Sequence, residues 1–185
     1  MKHSRSVLAL LLSVMPLLSV TAQEPNSDAQ RYKLLATTRT STMQKELDEA
    51  AAQGYRILVG SPTSSSEMAL FLERVATAED PYKYKLLATS RTGTMQKELN
   101  EVAHDGYRLL PRTMIAKGQL LGDAEIVMIL ERAPNSERRY EYKLLATSRT
   151  STLQKEVTEA QAAGFVIVGM VSRGEHMVVM EREQK

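Results

Sequence analysis

The chain has 185 residues, of which 43% are hydrophobic, 25% charged and 5% aromatic, and it contains neither cysteine nor tryptophan. A hydrophobic fraction of this size is typical of a globular protein. The absence of cysteine excludes a disulfide scaffold, a thiolate zinc site, a cysteine nucleophile, an iron–sulfur protein and a bacterial lipoprotein. Composition thus narrows the class of protein without indicating a particular activity.

Residues 1–22 have the pattern of a cleaved secretory signal peptide. Lys2 and Arg5 precede a mostly apolar run of 14 residues, 7–20, which small side chains follow up to Ala22. A helix of that length spans roughly 21 Å, short of the hydrocarbon core of about 30 Å, so a membrane anchor is the weaker alternative. We expect a mature chain from about Gln23 and a periplasmic or secreted location.

The basic character of the whole chain comes largely from this signal segment. The chain has 24 basic and 22 acidic residues, and the segment contains Lys2 and Arg5 but no acidic residue. The expected mature chain therefore has a formal net charge of zero. This balance does not favour nucleic acid as a partner.

One sequence unit occurs three times, beginning at Tyr32, Tyr84 and Tyr142. Thirteen of its first 19 positions are identical in all copies, and each copy continues to a glycine followed by an aromatic residue and then to an apolar run closed by Glu-Arg. The predicted organisation is a signal peptide 1–22, a tail 23–31, repeat 1 over 32–75, a linker 76–83, repeat 2 over 84–132, a linker 133–139 and repeat 3 over 140–185.

Each repeat is predicted to form a strand, a helix and two further strands. The Tyr-Lys-Leu-Leu-Ala-Thr run favours the first strand. Ser41 and Ser151 are predicted N-caps, with Gln44 and Gln154 at capping-box spacing and Gly93 as the cap of the middle helix. Apolar residues at helical spacing follow. The predicted helices end at three glycines in the left-handed conformation, Gly54, Gly106 and Gly164.

The two remaining strands of each repeat predict the order of the sheet. Pro111 in the second strand of the middle copy lacks a backbone donor, which places that strand at an edge. The third strands are nearly continuous apolar runs, typical of strands buried on both faces. We therefore predict an α+β fold of three tandem βαββ repeats with strand order 1-3-2. Because each unit is small, the repeats are expected to share a core with pseudo-threefold symmetry and helices outside.

These features resemble a small bacterial family of unknown function. The shared features are Tyr140-Glu141-Tyr142-Lys143, a helix ending in Gly-aromatic and a terminal apolar strand closed by a basic residue. This chain has tyrosine or phenylalanine where that family often has tryptophan. The strand order also resembles that of dodecin-type flavin binders in topology, but no tryptophan is present to stack a flavin, and no cofactor is expected. The resemblance implies a fold and not an activity.

The repeated Arg-Thr-x-Thr segment is the best candidate for ligand binding. It lies at a predicted helix N-terminus, where free N–H groups and the helix dipole favour an anion. Two interpretations stay open: an anion site, or threonines that cap the helix beside an arginine paired with a carboxylate. The candidate residues are Arg39, Thr40, Thr42, Arg91, Thr92, Thr94, Arg149, Thr150 and Thr152.

Other motifs have weaker functional interpretations. The Gln-Lys-Glu triplets at 44–46, 96–98 and 154–156 indicate a solvated helix face or, alternatively, a docking surface. The insertion 112–124 in repeat 2 indicates either recognition of a partner or a tolerated loop extension. His104 and His176 are too few for a metal site, and no nucleophile elbow, phosphate loop or dinucleotide motif is present.

Three functions are compatible with this pattern. The first is a non-enzymatic exported protein that binds or scaffolds a partner in the cell envelope. The second is a small-molecule or anion binder that uses the Arg-Thr-x-Thr segments. The third is an enzyme, which is disfavoured because no acid–base or nucleophilic constellation is visible. An oligomer is compatible with each.

Overall fold

Three antiparallel sheets and three helices make up the described part of the chain. The computed structural model describes residues 30–63, 66–75, 80–118 and 124–184. The predicted signal peptide and nearly all of the predicted tail lie outside the described residues. In chain order the elements are β1 Tyr32–Thr37, α1 Thr40–Ala52, β2 Tyr55–Pro62, β3 Met68–Arg74, β4 Lys83–Thr89, α2 Thr92–His104, β5 Arg108–Leu109, β6 Ile115–Lys117, β7 Glu125–Arg132, β8 Arg139–Thr147, α3 Thr150–Ala162, β9 Val166–Ser172 and β10 His176–Gln184.

The predicted α+β class and strand order are confirmed. Sheet 1 has the order β1-β3-β2 and sheet 3 the order β8-β10-β9. In sheet 2, β7 lies between β4 on one side and the short strands β5 and β6 on the other. The third strand of every repeat is therefore central and antiparallel to both neighbours. As Pro111 predicts, the strand that it interrupts lies at an edge.

The interruption at Pro111 is larger than expected, because a 3-10 turn at Pro111–Thr113 separates β5 from β6. Thr113 is fully buried there and restores the lost ladder contacts with its hydroxyl. Its Oγ1 donates to the Leu110 carbonyl at 2.7 Å and accepts from the Ile129 N–H at 3.3 Å. The first part of the insertion 112–124 is thus integrated into sheet 2, whereas residues 119–123 lie outside the described residues.

The helix starts correct one prediction. The helices begin at Thr40, Thr92 and Thr150, and the N-cap residues are the preceding arginines, which make no side-chain cap bond. The expected N-caps are wrong: Ser41, Gly93 and Ser151 lie inside the first turn. The physical reason is a turn just before each helix. Two residues before the N-cap arginine, a threonine hydroxyl, that of Thr37 in repeat 1, accepts the backbone N–H of the arginine and sets the direction of the chain.

The helix ends agree with the sequence. Gly54, Gly106 and Gly164 follow the last helical turn with φ of 82°, 89° and 87°. A side chain is strained in this conformation, so glycine is the residue that ends the helix at lowest cost.

Each helix packs against its own sheet, and α1 and α2 also contact the first strand of the next sheet. The core around α1 includes Leu70 of sheet 1 and Ile129 of sheet 2, and the core around α2 likewise joins sheets 2 and 3. The core around α3 is small, with four buried residues, Ala160, Phe165, Val178 and Met180. Neighbouring repeats therefore share cores, as predicted.

The central strands differ in how their two faces are covered. β7 and β10 are buried on both faces, as their apolar runs predict. The expectation is wrong for β3, which buries Met68, Leu70 and Leu72 against α1 but exposes Phe71 on the opposite face. The reason is that no preceding repeat covers sheet 1 within the described residues. The pseudo-threefold symmetry stays a prediction, since the extensive contacts link repeat 1 with repeat 2 and repeat 2 with repeat 3.

None of the helices in the described ranges is long and apolar enough to cross a membrane.

Replacing Thr113 by valine tests the role of its hydroxyl in sheet 2. The substitution keeps the shape of the side chain but leaves the buried Ile129 N–H and Leu110 carbonyl without this partner. We expect a loss of about 1–3 kcal/mol in the free energy of unfolding, measured by urea denaturation. The matched control is the exposed Thr38→Val, which we expect to leave stability unchanged.

Candidate functional site

Glutamine side chains attach each repeat to the strand edge of the next. In the contact between repeats 1 and 2, joint 1, Gln44 Nε2 donates to the Tyr84 carbonyl at 3.1 Å, and the Leu86 N–H donates to Gln44 Oε1 at 2.8 Å. These are the open donor and acceptor on the outer edge of β4. The amide of Gln44 therefore bonds to β4 as a neighbouring strand would.

The contact between repeats 2 and 3, joint 2, repeats this arrangement. Gln96 Nε2 donates to the Tyr142 carbonyl at 2.8 Å, and the Leu144 N–H donates to Gln96 Oε1 at 2.6 Å. Asn100, one turn further along α2, donates to the same carbonyl at 3.0 Å and accepts the Tyr142 N–H at 2.8 Å. The Gln-Lys-Glu triplets thus combine both interpretations left open by the sequence. Their lysines are exposed to solvent, whereas the glutamines of repeats 1 and 2 bind the first strand of the next repeat.

A buried glutamate forms the second half of each joint. In joint 1, Arg56 of repeat 1 pairs with Glu131 of repeat 2 through hydrogen bonds of 2.7, 3.0 and 3.2 Å. The guanidinium also lies 4.4 Å from the centre of the Tyr82 ring. Tyr84 donates its hydroxyl proton to Glu131 Oε2 at 3.0 Å and accepts the Ile57 N–H at 3.2 Å. The buried carboxylate is thus paired and hydrogen-bonded.

Joint 2 has the same four groups. Arg108 pairs with Glu181 at 2.8 Å and lies 5.3 Å from the centre of the Tyr140 ring. Tyr142 donates to Glu181 Oε2 at 2.7 Å and accepts the Leu109 N–H at 2.8 Å. Tyr140 thus contacts the arginine of the preceding repeat, and Tyr142 bonds to the glutamate of its own repeat and to a backbone N–H of the preceding one.

Burial perturbs the ionisation of the joint tyrosines. Removal from solvent raises the pKa of Tyr84 and of Tyr142 well above the usual value of 10, and the nearby glutamate charge raises it further. Hydrogen bonding to Glu131 raises the pKa of Arg56, as bonding to Glu181 raises that of Arg108. The joints therefore keep neutral phenols beside charged ion pairs.

Repeat 1 exposes the surface that, in repeats 2 and 3, binds the preceding repeat. This N-terminal end surface consists of the outer edge of β1 and of four exposed side chains on the outer face of sheet 1: Tyr32, Leu34, Val59 and Phe71. Leu34, Phe71 and Val59 are cross-strand neighbours in register. Phe71 is 47% exposed, whereas its counterparts Ile129 and Val179 in the joints are 1% and 0% exposed. The row that docks in repeats 2 and 3 is uncovered in repeat 1.

Repeat 3 exposes the surface that, in repeats 1 and 2, binds the following repeat. This C-terminal end surface consists of Gln154 on α3, the half-buried Leu153 and Val157, and the exposed Ile167 and Met170 of β9. Ile167 is 57% exposed, against 6% for Ile57 and 2% for Leu109. Among the described residues Gln154 Nε2 contacts only Thr158 Oγ1, at 3.4 Å. The helix face that docks in repeats 1 and 2 faces solvent in repeat 3.

The Arg-Thr-x-Thr candidates lie at the starts of three different helices. Arg39, Arg91 and Arg149 are exposed, and none forms an ion pair within the described residues. In the described part of the chain no hydrogen bond joins one of these segments to another. The structure therefore brings the candidates together within each repeat and does not bring the three repeats' sets into contact.

One candidate already has a partner from another repeat. Arg173, in the β9–β10 turn, donates to Thr92 Oγ1 at 2.9 Å and to the carbonyls of Ser90 and Ala124. Thr40 instead lines a cleft of about 340 Å³ that also contains Glu98. The helix starts thus differ in their surroundings, and the anion site stays a prediction.

Sequence reasoning missed the residues that form the joints. Gln44 and Gln96 occupy the capping-box position, and Glu131 and Glu181 belong to the Glu-Arg closure that marks the end of each repeat. A signal was present in the differences between copies. Arginine follows the Gly-aromatic pair in repeats 1 and 2 but Val166 follows it in repeat 3, and a tyrosine two residues before the first-strand tyrosine is absent from repeat 1.

Comparisons with protein-family models, with curated proteins and with solved structures give no match. The resemblance to a bacterial family of unknown function therefore stays a prediction.

Substituting Gln96 tests the attachment of a helix to the neighbouring strand. Gln96→Ala removes two hydrogen bonds to β8 and leaves the Leu144 N–H without its partner, so we expect a loss of about 1–3 kcal/mol in the free energy of unfolding. Gln154→Ala is the matched control at the same position of repeat 3. Equal losses for the two variants in urea denaturation of the monomer would contradict this role.

The joint tyrosines predict a dependence of stability on alkaline pH. Because folding raises the pKa of Tyr142, the folded state holds the phenolic proton more tightly, and the stabilisation is complete below about pH 10 and falls as the pH rises above it. Tyr142→Phe is expected to cost about 1–3 kcal/mol at neutral pH and to show a shallower alkaline decline. Urea unfolding between neutral pH and pH 11, with the exposed Tyr32→Phe as control, measures both effects.

Proposed function

We propose that this is an exported, non-enzymatic repeat protein that binds or scaffolds protein partners in the cell envelope through its two end surfaces. The observation that carries the proposal is that each end exposes the apolar row that forms a buried protein contact elsewhere in the same chain. Contiguous exposed apolar surface bordered by polar groups is typical of protein interaction sites.

Several properties of the end surfaces support docking of a protein rather than of a small molecule. Leu34, Phe71 and Val59 form a continuous row across three strands, and each of the three side chains is more than 40% exposed. The edge of β1 beside this row is free of side-chain amides from the described residues, whereas the edges of β4 and β8 are each bonded to a glutamine. An open edge with an apolar row favours an extended or helical protein segment.

Pseudo-threefold packing is the intramolecular form of the same docking. Three repeats that each contacted the next, and of which the third contacted the first, would close into a ring and cover both end surfaces. We retain this symmetry as a proposal for a closed state of the chain. In that state Leu34 and Ile167 would be covered, so adducts to other chains come from the open state, in which both side chains are exposed.

Site-specific photo-cross-linking in the native host tests the proposed function. A photoreactive residue placed at position 34 or 167 is expected to give adducts in the envelope fraction, since both side chains are exposed on the end surfaces. The control position is Lys97, exposed on the polar flank of α2. Absence of adducts at both end positions, or equal adducts at Lys97, would contradict the proposal.

A further inference from the structure

We propose that the partner at each end surface is a second copy of this chain, stacked head to tail so that α3 of one copy docks on β1 of the next. This inference rests on the proposed function and names the occupant of its binding surfaces. Joints 1 and 2 show how one repeat binds the next. The C-terminal end surface has the groups of the preceding repeat in such a joint, and the N-terminal end surface has those of the following repeat.

The polar halves match group for group. β1 and β4 share one register with their central strands, so the Tyr32 carbonyl and Leu34 N–H of β1 correspond to the Tyr84 carbonyl and Leu86 N–H that bind Gln44. In repeat 3 the residue at the position of Gln44 is Gln154. Docked on β1 of another copy, its amide completes the same pair of hydrogen bonds, on an edge to which no other described residue bonds.

The apolar halves match as well. Ile57 and Leu109 are buried in the joints against the following repeat, and Ile167 is their exposed counterpart. On the other side, Ile129 and Val179 are buried, and Phe71 is their exposed counterpart. A head-to-tail contact places Ile167 of one copy against the row around Phe71 of the next. It removes from water the apolar side chains that both ends expose.

The end surfaces differ from joints 1 and 2 in the residues around the buried ion pair. The arginine that would pair with the next copy's glutamate is replaced by Val166, and the tyrosine that would stack on it is replaced by Gln30. The glutamate itself, Glu73, pairs instead with Arg31 of its own chain at 2.7 Å. The arginine and the tyrosine that stacks on it are thus absent together, and Glu73 does not enter the contact as an unpaired charge.

A head-to-tail contact has a definite symmetry consequence. Its two surfaces are different, so it is a heterologous contact and each added copy presents a fresh surface of both kinds. Assemblies of this type either close into a ring or extend as a filament. Blocking one surface on every copy stops assembly, but two copies blocked at opposite ends can still form one pair.

Complementation between two blocked variants tests this arrangement. Leu34→Lys blocks the N-terminal end surface and Ile167→Lys blocks the C-terminal one; both positions are exposed, so folding is retained and is checked by circular dichroism. In sedimentation velocity we expect the wild type to be larger than one chain, each variant to be monomeric and their mixture to form a 1:1 pair. Gln154→Ala is expected to weaken association about tenfold. Lys155→Ala is the control and is expected to leave association unchanged, because its counterparts Lys45 and Lys97 stay exposed beside the joints.

Three outcomes overturn the proposal: a monomeric wild type, a blocked variant that still self-associates, or a mixture that stays monomeric. The second indicates a symmetric contact that uses one surface twice. The cross-linking experiment separates this failure from failure of the proposed function. Adducts at positions 34 and 167 with the mass of two chains support stacking, whereas adducts of another mass leave the protein a binding protein and exclude a second copy as its partner.

Discussion

The architecture depends on how the open edge of each first strand is satisfied. An edge strand presents unpaired N–H and carbonyl groups. If they are buried without partners, the fold loses stability, and if they stay exposed, they can pair with a strand of another chain. Here a glutamine on the preceding helix supplies one donor and one acceptor, as Gln44 does for β4 and Gln96 for β8. The side-chain amide thus ends one sheet while attaching it to the previous repeat, and the shared cores follow from that attachment.

The buried ion pairs fix the relation between consecutive repeats rather than supplying most of the cohesion. Burying Glu131 beside Arg56 exchanges hydration for charge–charge attraction, and the net gain is commonly small. Geometry is what such a pair specifies: the carboxylate accepts a planar guanidinium on one side and the Tyr84 hydroxyl on the other. Slippage of one repeat along the next would leave a buried charge unpaired, so the register between repeats is strongly constrained.

Much of the fold within each repeat was predictable because it depends on local patterns. The glycine at the helix end, the central position of the apolar third strand and the edge position of Pro111 each depend on a few residues, and these three predictions agree with the structure. The joints were not predictable in this way. Gln44 has the spacing of a capping box, and only its position beside the edge of β4, which is reached through tertiary packing, shows that its amide serves another strand.

The coverage of the sheets was predictable only in part for the same reason. An apolar strand indicates that both faces have low polarity, and it does not say whether a neighbour is present. β3 and β7 have similar sequences, yet Phe71 is exposed while Ile129 is buried. The difference arises from the order of the repeats along the chain, because sheet 1 has no preceding repeat among the described residues.

The small core around α3 implies a gradient of local stability along the molecule. In a chain of repeats, each unit is stabilised by its own burial and by contacts with its neighbours. Here α1 and α2 each pack on the repeat that follows, and no following repeat covers α3 within the described residues. α3 buries only Ala160, whereas α1 and α2 bury several residues each. Its backbone amides should therefore exchange with solvent through a low-energy local opening, while those of α1 and α2 open only when a shared core is disrupted.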